Sequence, residues 1–331
     1  MKIAGIETYL PNKIVRNEDL NLEFPDWNPE KIESKVGISR RHIAEPNETA
    51  GDLGAKAAEK LFETFDRKEV DFLLFCTQSP DYFLPTTACI LQKRLNLPTT
   101  SGAFDFNLGC SGYVYGLAIA KGLICANLAN NVLLIVADTY SKQIYEKDIA
   151  NRAIFGDGAA ATIVSKHPGT NGIGEFQLGT DGAGKENLIV RNGAFRNPID
   201  PDAKEIEYGT QSTFTKNHLQ MNGPEIFNFT IEKIPSLVAA TLKKNNILLD
   251  EVDFFIFHQA NKYMLDYLRR KTKIPKSKFY VNLTETGNTV SATIPIALKD
   301  CIEKKLVFEG SKVLIVGFGV GYSWGATLIT L

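Results

Sequence analysis

The pattern of apolar and polar positions in this 331-residue chain repeats at a distance. EVDFLLFCTQ (69–78) and EVDFFIFHQA (251–260) share Glu, Val, Asp, Phe and a later Phe in register, 182 positions apart. Each is an apolar run of strand length. NVLLIVADT (131–139) lies downstream of the first copy and KVLIVGFG (312–319) lies downstream of the second, at nearly the same offset. Both are apolar throughout and rich in β-branched residues, the pattern of central strands covered on both faces. Between each pair comes a turn and then a helix-like stretch: FNLGCSGYVYGLAIAKGLI (106–124) in the first half, NLTETGNTVSATIPIALKDCI (282–302) in the second. Apolar spacing of three and four predicts further helices. One covers 50–65, with Leu53, Ala57, Leu61 and Phe65 on one stripe, and another covers 224–244, with Ile226, Phe229 and Leu237. Polar, Gly/Pro-rich text at 166–174 and 179–204 reads as a connection and a long loop.

Strands alternating with helices, written twice, predict a duplicated α/β fold with two sheets, or one layered pair, related by pseudo-symmetry. The halves are expected at 1–170 and 171–331. Hydrophobic residues make up 44% and charged residues 23%, enough for a sizeable core. Lys plus Arg number 37 against 38 acids, for a net charge of −1. That balance argues against a nucleic-acid binder, whose affinity rests on a large basic surface. No apolar run approaches the roughly 20 residues needed to span a bilayer, and the N-terminus is too weakly apolar for a signal peptide. The five cysteines are odd in number and scattered, as expected for reduced thiols in the cytoplasm. No His/Cys/Asp cluster has metal-ligand spacing.

Chemistry is expected where the two copies differ. Aligning the repeats sets Cys110, in L-G-C-S-G, opposite Asn288, in E-T-G-N-T. Both sit at the mouth of a helix after a Gly-containing turn. Unpaired N–H groups and the macrodipole at a helix N-terminus are expected to lower the pKa of Cys110 and make it a nucleophile. Cys76, Cys89, Cys125 and Cys301 lie in apolar or helical text and read as inert. His258 ends an apolar strand, where α/β proteins place ligand sites. His42, His167 and His218 read as solvated. Asn288 alone would read as a helix cap; its place opposite Cys110 makes it a candidate donor. Gly321-Tyr322-Ser323-Trp324-Gly325 matches a nucleophile elbow, but no helix or His can follow it. A basic run (Arg269, Arg270, Lys271, Lys273, Lys276, Lys278) reads equally as a solvated helix end or as a docking patch for an acidic partner.

Cys110, HQAN (258–261) and Gly287-Asn288 stand in that order with IFGDGAAATIV (154–164), MNGPEIF (221–227) and the terminal GYSWGATLITL. Together they closely resemble the β-ketoacyl-acyl-carrier-protein synthase III family of the thiolase fold. The resemblance runs from YLP (9–11) and VGISRRHIA (36–44) to the last residue. It implies a layered αβαβα arrangement and a decarboxylative condensation of an acyl thioester with a malonyl-carrier thioester through an acyl-Cys110. His258 and Asn288 would donate to the thioester oxygen of the entering malonyl group. Backbone N–H groups at Cys110 and Val320 would form an oxyanion hole. Leu84, Phe155 and Phe318 would line the substrate pocket, Leu84 from the second subunit of a homodimer. Lys262, Arg269 and Arg270 would grip an acyl carrier protein. No cofactor is implied beyond acyl-CoA or acyl-carrier substrates.

Some positions depart from that pattern. Lys31 and Lys35 stand where relatives using acyl-CoA carry Trp and Arg, and Ile149 stands where they carry a further Arg. Lys does not replace a planar guanidinium in kind. Tyr263 replaces a carrier-gripping Arg, and Val320 replaces a Gly. An acyl transfer to a hydroxyl or amine acceptor is the alternative these departures leave open.

Overall fold

The computed structural model describes residues 1–167, 169, 172–209 and 212–331, with the side chains of residues 31 and 32 outside that description. Two five-stranded sheets dominate it. The first is built from β1 (Lys2–Tyr9), β2 (Phe72–Cys76), β3 (Gly102–Phe106), β4 (Asn131–Asp138) and β5 (Gly158–Ser165), in the order β3-β2-β4-β5-β1. The second is built from β6 (Ile173–Thr180), β7 (Phe254–Phe257), β8 (Phe279–Tyr280), β9 (Lys312–Gly319) and β10 (Ser323–Thr330), in the order β8-β7-β9-β10-β6. The directions match strand for strand. β2 runs parallel to β3 and β4, as β7 does to β8 and β9. The remaining neighbours in each sheet are antiparallel. The doubled segment thus marks equivalent strands, β2 and β7.

The unbroken apolar runs are explained by what covers them. In β4, Val132, Leu134 and Val136 enter a central core, while Leu133, Ile135 and Ala137 face an outer one. β9 divides likewise, with Val313 and Ile315 central and Leu314, Val316 and Phe318 outer. Period-two side chains on a sheet covered on both faces leave no polar position. The central layer is two helices, α2 (Gly112–Cys125) and α5 (Thr293–Glu303), which add Val114, Leu117 and Ile124 from one and Ile294, Ala297 and Leu298 from the other to the same core cluster. Outer helices cover the far faces: α1 (Ala50–Leu61) on the first sheet, α3 (Gly223–Lys244) and α4 (Lys262–Lys271) on the second. This is the αβαβα layering of the thiolase fold.

Two element boundaries differ from the sequence expectation. The helix expected within 282–302 begins only at Thr293. Before it come a turn and a short 3-10 helix (Val290–Ala292), and the Asn288 backbone is taken by another segment: its N–H donates to Ile154 O at 2.9 Å and its carbonyl accepts from Gly156 N at 3.0 Å. The expected loop 179–204 contains a short strand, Leu188–Val190, paired with Leu219–Met221.

Candidate active site

The two central helices point their N-termini toward the same place, and the chemistry collects there. The chain leaves β3, turns through Asn107, Leu108 and Gly109, and presents Cys110 one residue before Ser111, the N-cap of α2. Gly112 N–H closes this turn onto Gly109 O at 2.7 Å. Across from it runs the end of β9. A Cβ on Gly319 would lie 2.8 Å from the Cys110 Cβ and 3.0 Å from its Sγ. Only glycine lets that strand pass the thiol.

His258 leaves β7 with its N–H on Val316 O at 2.8 Å. Its Nδ1 lies 2.7 Å from the Thr293 hydroxyl, which donates to Val290 O at 3.0 Å. A hydroxyl has one proton and a carbonyl only accepts, so Nδ1 carries the hydrogen and donates to Thr293. Burial pushes the His258 pKa down to about 3, so the ring is neutral. Nε2 is then a lone pair. In this arrangement Nε2 is an acceptor; the donating role expected from the sequence belongs to the other tautomer, with the proton on Nε2 and the Thr293 hydroxyl turned from Val290 O to Nδ1.

The Asn288 Oδ1 accepts from Val290 N–H at 2.9 Å, which leaves Nδ2 as the donating end. This bond closes over Val290, whose φ of 55° is left-handed. That conformation is strained for a β-branched residue. A cavity of about 130 Å³ brings Cys110, His258 and Asn288 together with Phe155, Phe318 and Gly319 along its wall.

The expectation of a lowered thiol pKa at Cys110 does not hold. Burial, and then the nearby Asp138 carboxylate, push the pKa up, outweighing the residue's own backbone N–H. Burial therefore favours the neutral thiol over the thiolate at Cys110.

The remaining candidates divide. Val320 packs beside Cys110, and its carbonyl accepts from the Ser323 hydroxyl at 3.0 Å. That serine also meets the Ser111 hydroxyl at 2.6 Å, so the elbow-like motif is a strut rather than a nucleophile. Leu84 is not among the residues lining this cavity and is 80% exposed. Lys262 begins α4 and borders a depression shared with Glu30 and Glu33, one residue from the cavity-lining Asn261. Arg270 is exposed, whereas Arg269 is half-buried and donates to Ile274 O at 3.2 Å, closing its own helix end. Lys35 is exposed. The Lys31 side chain lies outside the described residues. Ile149 is buried against Leu20, Trp27 and Ala153, so an apolar cluster fills this spot. Cys76 donates to Leu108 O at 3.1 Å and is structural. Among the described residues, no group of three or more His, Cys, Asp or Glu could hold a metal ion. Thr293 and Ser291 were not singled out from the sequence; the Ser/Thr-rich text N-T-V-S-A-T was the available signal.

Comparison with known proteins places this geometry. Residues 104–182 match the family profile described as 3-oxoacyl-[acyl-carrier-protein (ACP)] synthase III, and residues 242–331 match its C-terminal counterpart. A beta-ketoacyl-[acyl-carrier-protein] synthase III of Clostridium perfringens (strain 13 / Type A) is 35% identical over 332 residues, covering 100% of this chain and 99% of the relative. A crystal structure of a 3-oxoacyl-(acyl-carrier-protein) synthase III superposes with a TM-score of 0.98 at 46% identity, covering 100% of this chain and 99% of the other. That of a 3-oxoacyl-(acyl-carrier protein) synthase from Burkholderia xenovorans LB400 gives 0.92 at 36% identity, covering 100% and 93%.

Proposed function

The chain belongs to the 3-oxoacyl-[acyl-carrier-protein] synthase III family, and from that premise we propose that it condenses an acyl thioester with malonyl-acyl carrier protein through an acyl-Cys110. It is an acyltransferase of fatty-acid type. The observation that carries the residue assignment is the meeting of Cys110, His258 and Asn288 in one cavity.

In the first step the Cys110 Sγ attacks the thioester carbon while its proton passes to the His258 Nε2 lone pair. The thiol is protonated at rest, so this acceptor is needed. The tetrahedral oxygen is held by backbone N–H groups at Cys110 and Val320. Collapse releases the donor thiolate, which recovers the proton from His258. In the second step the malonyl thioester loses carbon dioxide, and the electron pair of the broken C–C bond forms an enolate. Asn288 Nδ2 holds its oxygen, joined by His258 once solvent has taken the Nδ1 proton and supplied one to Nε2, with Nδ1 then accepting from the Thr293 hydroxyl. The enolate carbon attacks the acyl-Cys110 carbon, a C–C bond forms, the C–S bond breaks, and the thiolate takes a proton from water. Nothing in this sequence calls for a cofactor. Phe155 and Phe318 form apolar walls that keep water from the acyl-enzyme.

The same proposal includes a cytoplasmic homodimer. Its support is the exposed run Tyr82-Phe83-Leu84 near the exposed Phe195, together with β3, which has no strand on its outer edge among the described residues. An exposed edge and apolar patch call for a cover, and Leu84 of a second copy would reach the acyl pocket. A monomer in sedimentation at micromolar concentration would remove this part. Among the described residues, no helix is long and apolar enough to cross a membrane.

The activity itself is tested by supplying radiolabelled acyl-CoA and acyl-carrier donors, then malonyl-acyl carrier protein. Label is expected on Cys110, followed by product and carbon dioxide, and Cys110→Ala is expected to abolish both. Turnover without carbon dioxide release would instead mean transfer to a hydroxyl or amine. Full activity in Cys110→Ala would overturn the assignment.

A further inference from the structure

Among the buried ionisable groups that the two steps leave unused, one bridges the two turns that carry Cys110 and Asn288. Asp138 ends β4, is wholly buried, and is gripped by both halves of the chain. Its Oδ1 accepts from Gln78 N–H at 2.8 Å. Its Oδ2 accepts from Ser291 N–H at 3.3 Å and from the Ser291 hydroxyl.

Each partner leads to a catalytic turn. Gln78 follows β2, and its Oε1 would lie 2.5 Å from a Cβ on Gly109, the residue before the nucleophile. The Tyr140 hydroxyl donates to that same Oε1 and pins it. Ser291 follows Val290, whose N–H holds the Asn288 amide and whose carbonyl receives the Thr293 hydroxyl beside His258. Val290 is also the strained residue, with φ of 55°. Such a conformation persists only where its surroundings over-determine it. A buried carboxyl group that accepts two hydrogen bonds from Ser291, the next residue, supplies that constraint. A buried carboxyl is otherwise expensive, so its retention here calls for a role.

We propose that Asp138 is a positioning residue: through Ser291 it fixes the turn carrying Asn288 against the turn carrying Cys110. It touches no substrate. It spans the pseudo-axis and sets the spacing between the nucleophile of one half and the donor of the other. Displacements near 1 Å at such a site can cost about 100-fold in rate.

The inference rests on the condensing reading, and its test separates the two steps in the full-length enzyme. Ser291→Ala removes the hydroxyl donor while Gln78 still anchors the nucleophile side. Wild type and variant are labelled with a radioactive acyl thioester, then mixed with malonyl-acyl carrier protein for a single turnover. Labelling of Cys110 is expected within about threefold of wild type, and transfer to product is expected to slow on the order of tenfold or more. Asp138→Asn, whose Nδ2 cannot accept from Ser291 N–H, should slow transfer at least as much. Melting temperatures measured alongside show whether each variant is folded. Ser291→Ala transferring at the wild-type rate, or losing both steps in proportion to lost folded protein, overturns the proposal. If wild type fails to label at Cys110, the condensing reading fails and the strut falls with it.

Discussion

His258 is buried at the end of a strand with a single polar partner on Nδ1, and that environment has a thermodynamic signature. Burial holds its pKa down at about 3, against 6.5 for a free imidazole. As pH falls through 6.5, the unfolded chain takes up a proton that the folded protein refuses, so stability is lost on acidification. Between pH 7 and pH 5 this amounts to about 2 kcal/mol. Asp138 acts in the opposite sense. Burial pushes it up to about 7, so its ionisation costs stability as pH rises from about 4 toward 7. The wild-type profile mixes the two, whereas the difference between wild type and His258→Gln isolates the histidine. We expect that variant to lose less stability than wild type between pH 7 and pH 5, by about 2 kcal/mol in urea titrations. Parallel profiles would mean that His258 is not held neutral. At this scale the sequence was legible for identity but not for state. Cys110, His258 and Asn288, singled out by their places in the repeat, line one cavity. The tautomer of His258 follows from Thr293, 35 residues away in sequence, and the raised thiol pKa follows from burial and Asp138. No local pattern reports either.

Among the elements, the strands were the most legible parts, because a strand covered on both faces must be apolar at every position. The turn at 283–292 was the least. Its text reads as the start of a helix, yet the Asn288 backbone is hydrogen-bonded to Ile154 and Gly156, a pairing across more than 130 residues. The end of β9 is a further case where one element constrains another. Gly319 passes so close to the nucleophile that a Cβ would lie 2.8 Å from the Cys110 Cβ and 3.0 Å from its Sγ. Gly319→Ala must therefore move either the strand or the thiol. Overpacking of this kind costs typically 1–3 kcal/mol, and a displaced nucleophile can cost on the order of 100-fold. We expect Gly319→Ala to fold with a lowered melting temperature and to label Cys110 at least tenfold more slowly. Labelling at the wild-type rate would show that the strand gives way without disturbing the thiol.

Over the whole molecule, the near-neutral charge hides an uneven distribution, and burial decides which cations remain available to a partner. The basic run after His258 looks uniform in sequence. In the fold, Arg269 is half-buried and spends its guanidinium on Ile274 O, and Lys278 donates to Asp250 O and Val252 O at 2.7 and 2.8 Å. Lys262 and Arg270 are exposed on α4, and Lys262 stands next to Asn261 at the cavity wall. If an acidic carrier delivers its thioester to Cys110, these two would steer it, while Arg269 would serve stability alone. Steering between exposed charges is screened within roughly 10 Å at 0.1 M salt, and it changes association more than chemistry. The double variant Lys262→Glu, Arg270→Glu should therefore raise KM for carrier-borne substrate several-fold at low salt, with kcat and melting temperature nearly unchanged and the difference shrinking as salt is added. Arg269→Glu should do the reverse, lowering the melting temperature because the Ile274 carbonyl loses its donor, with little effect on KM in the protein that remains folded. A KM unchanged in the double variant would return α4 to a solvated face and move the carrier's contact elsewhere on the rim.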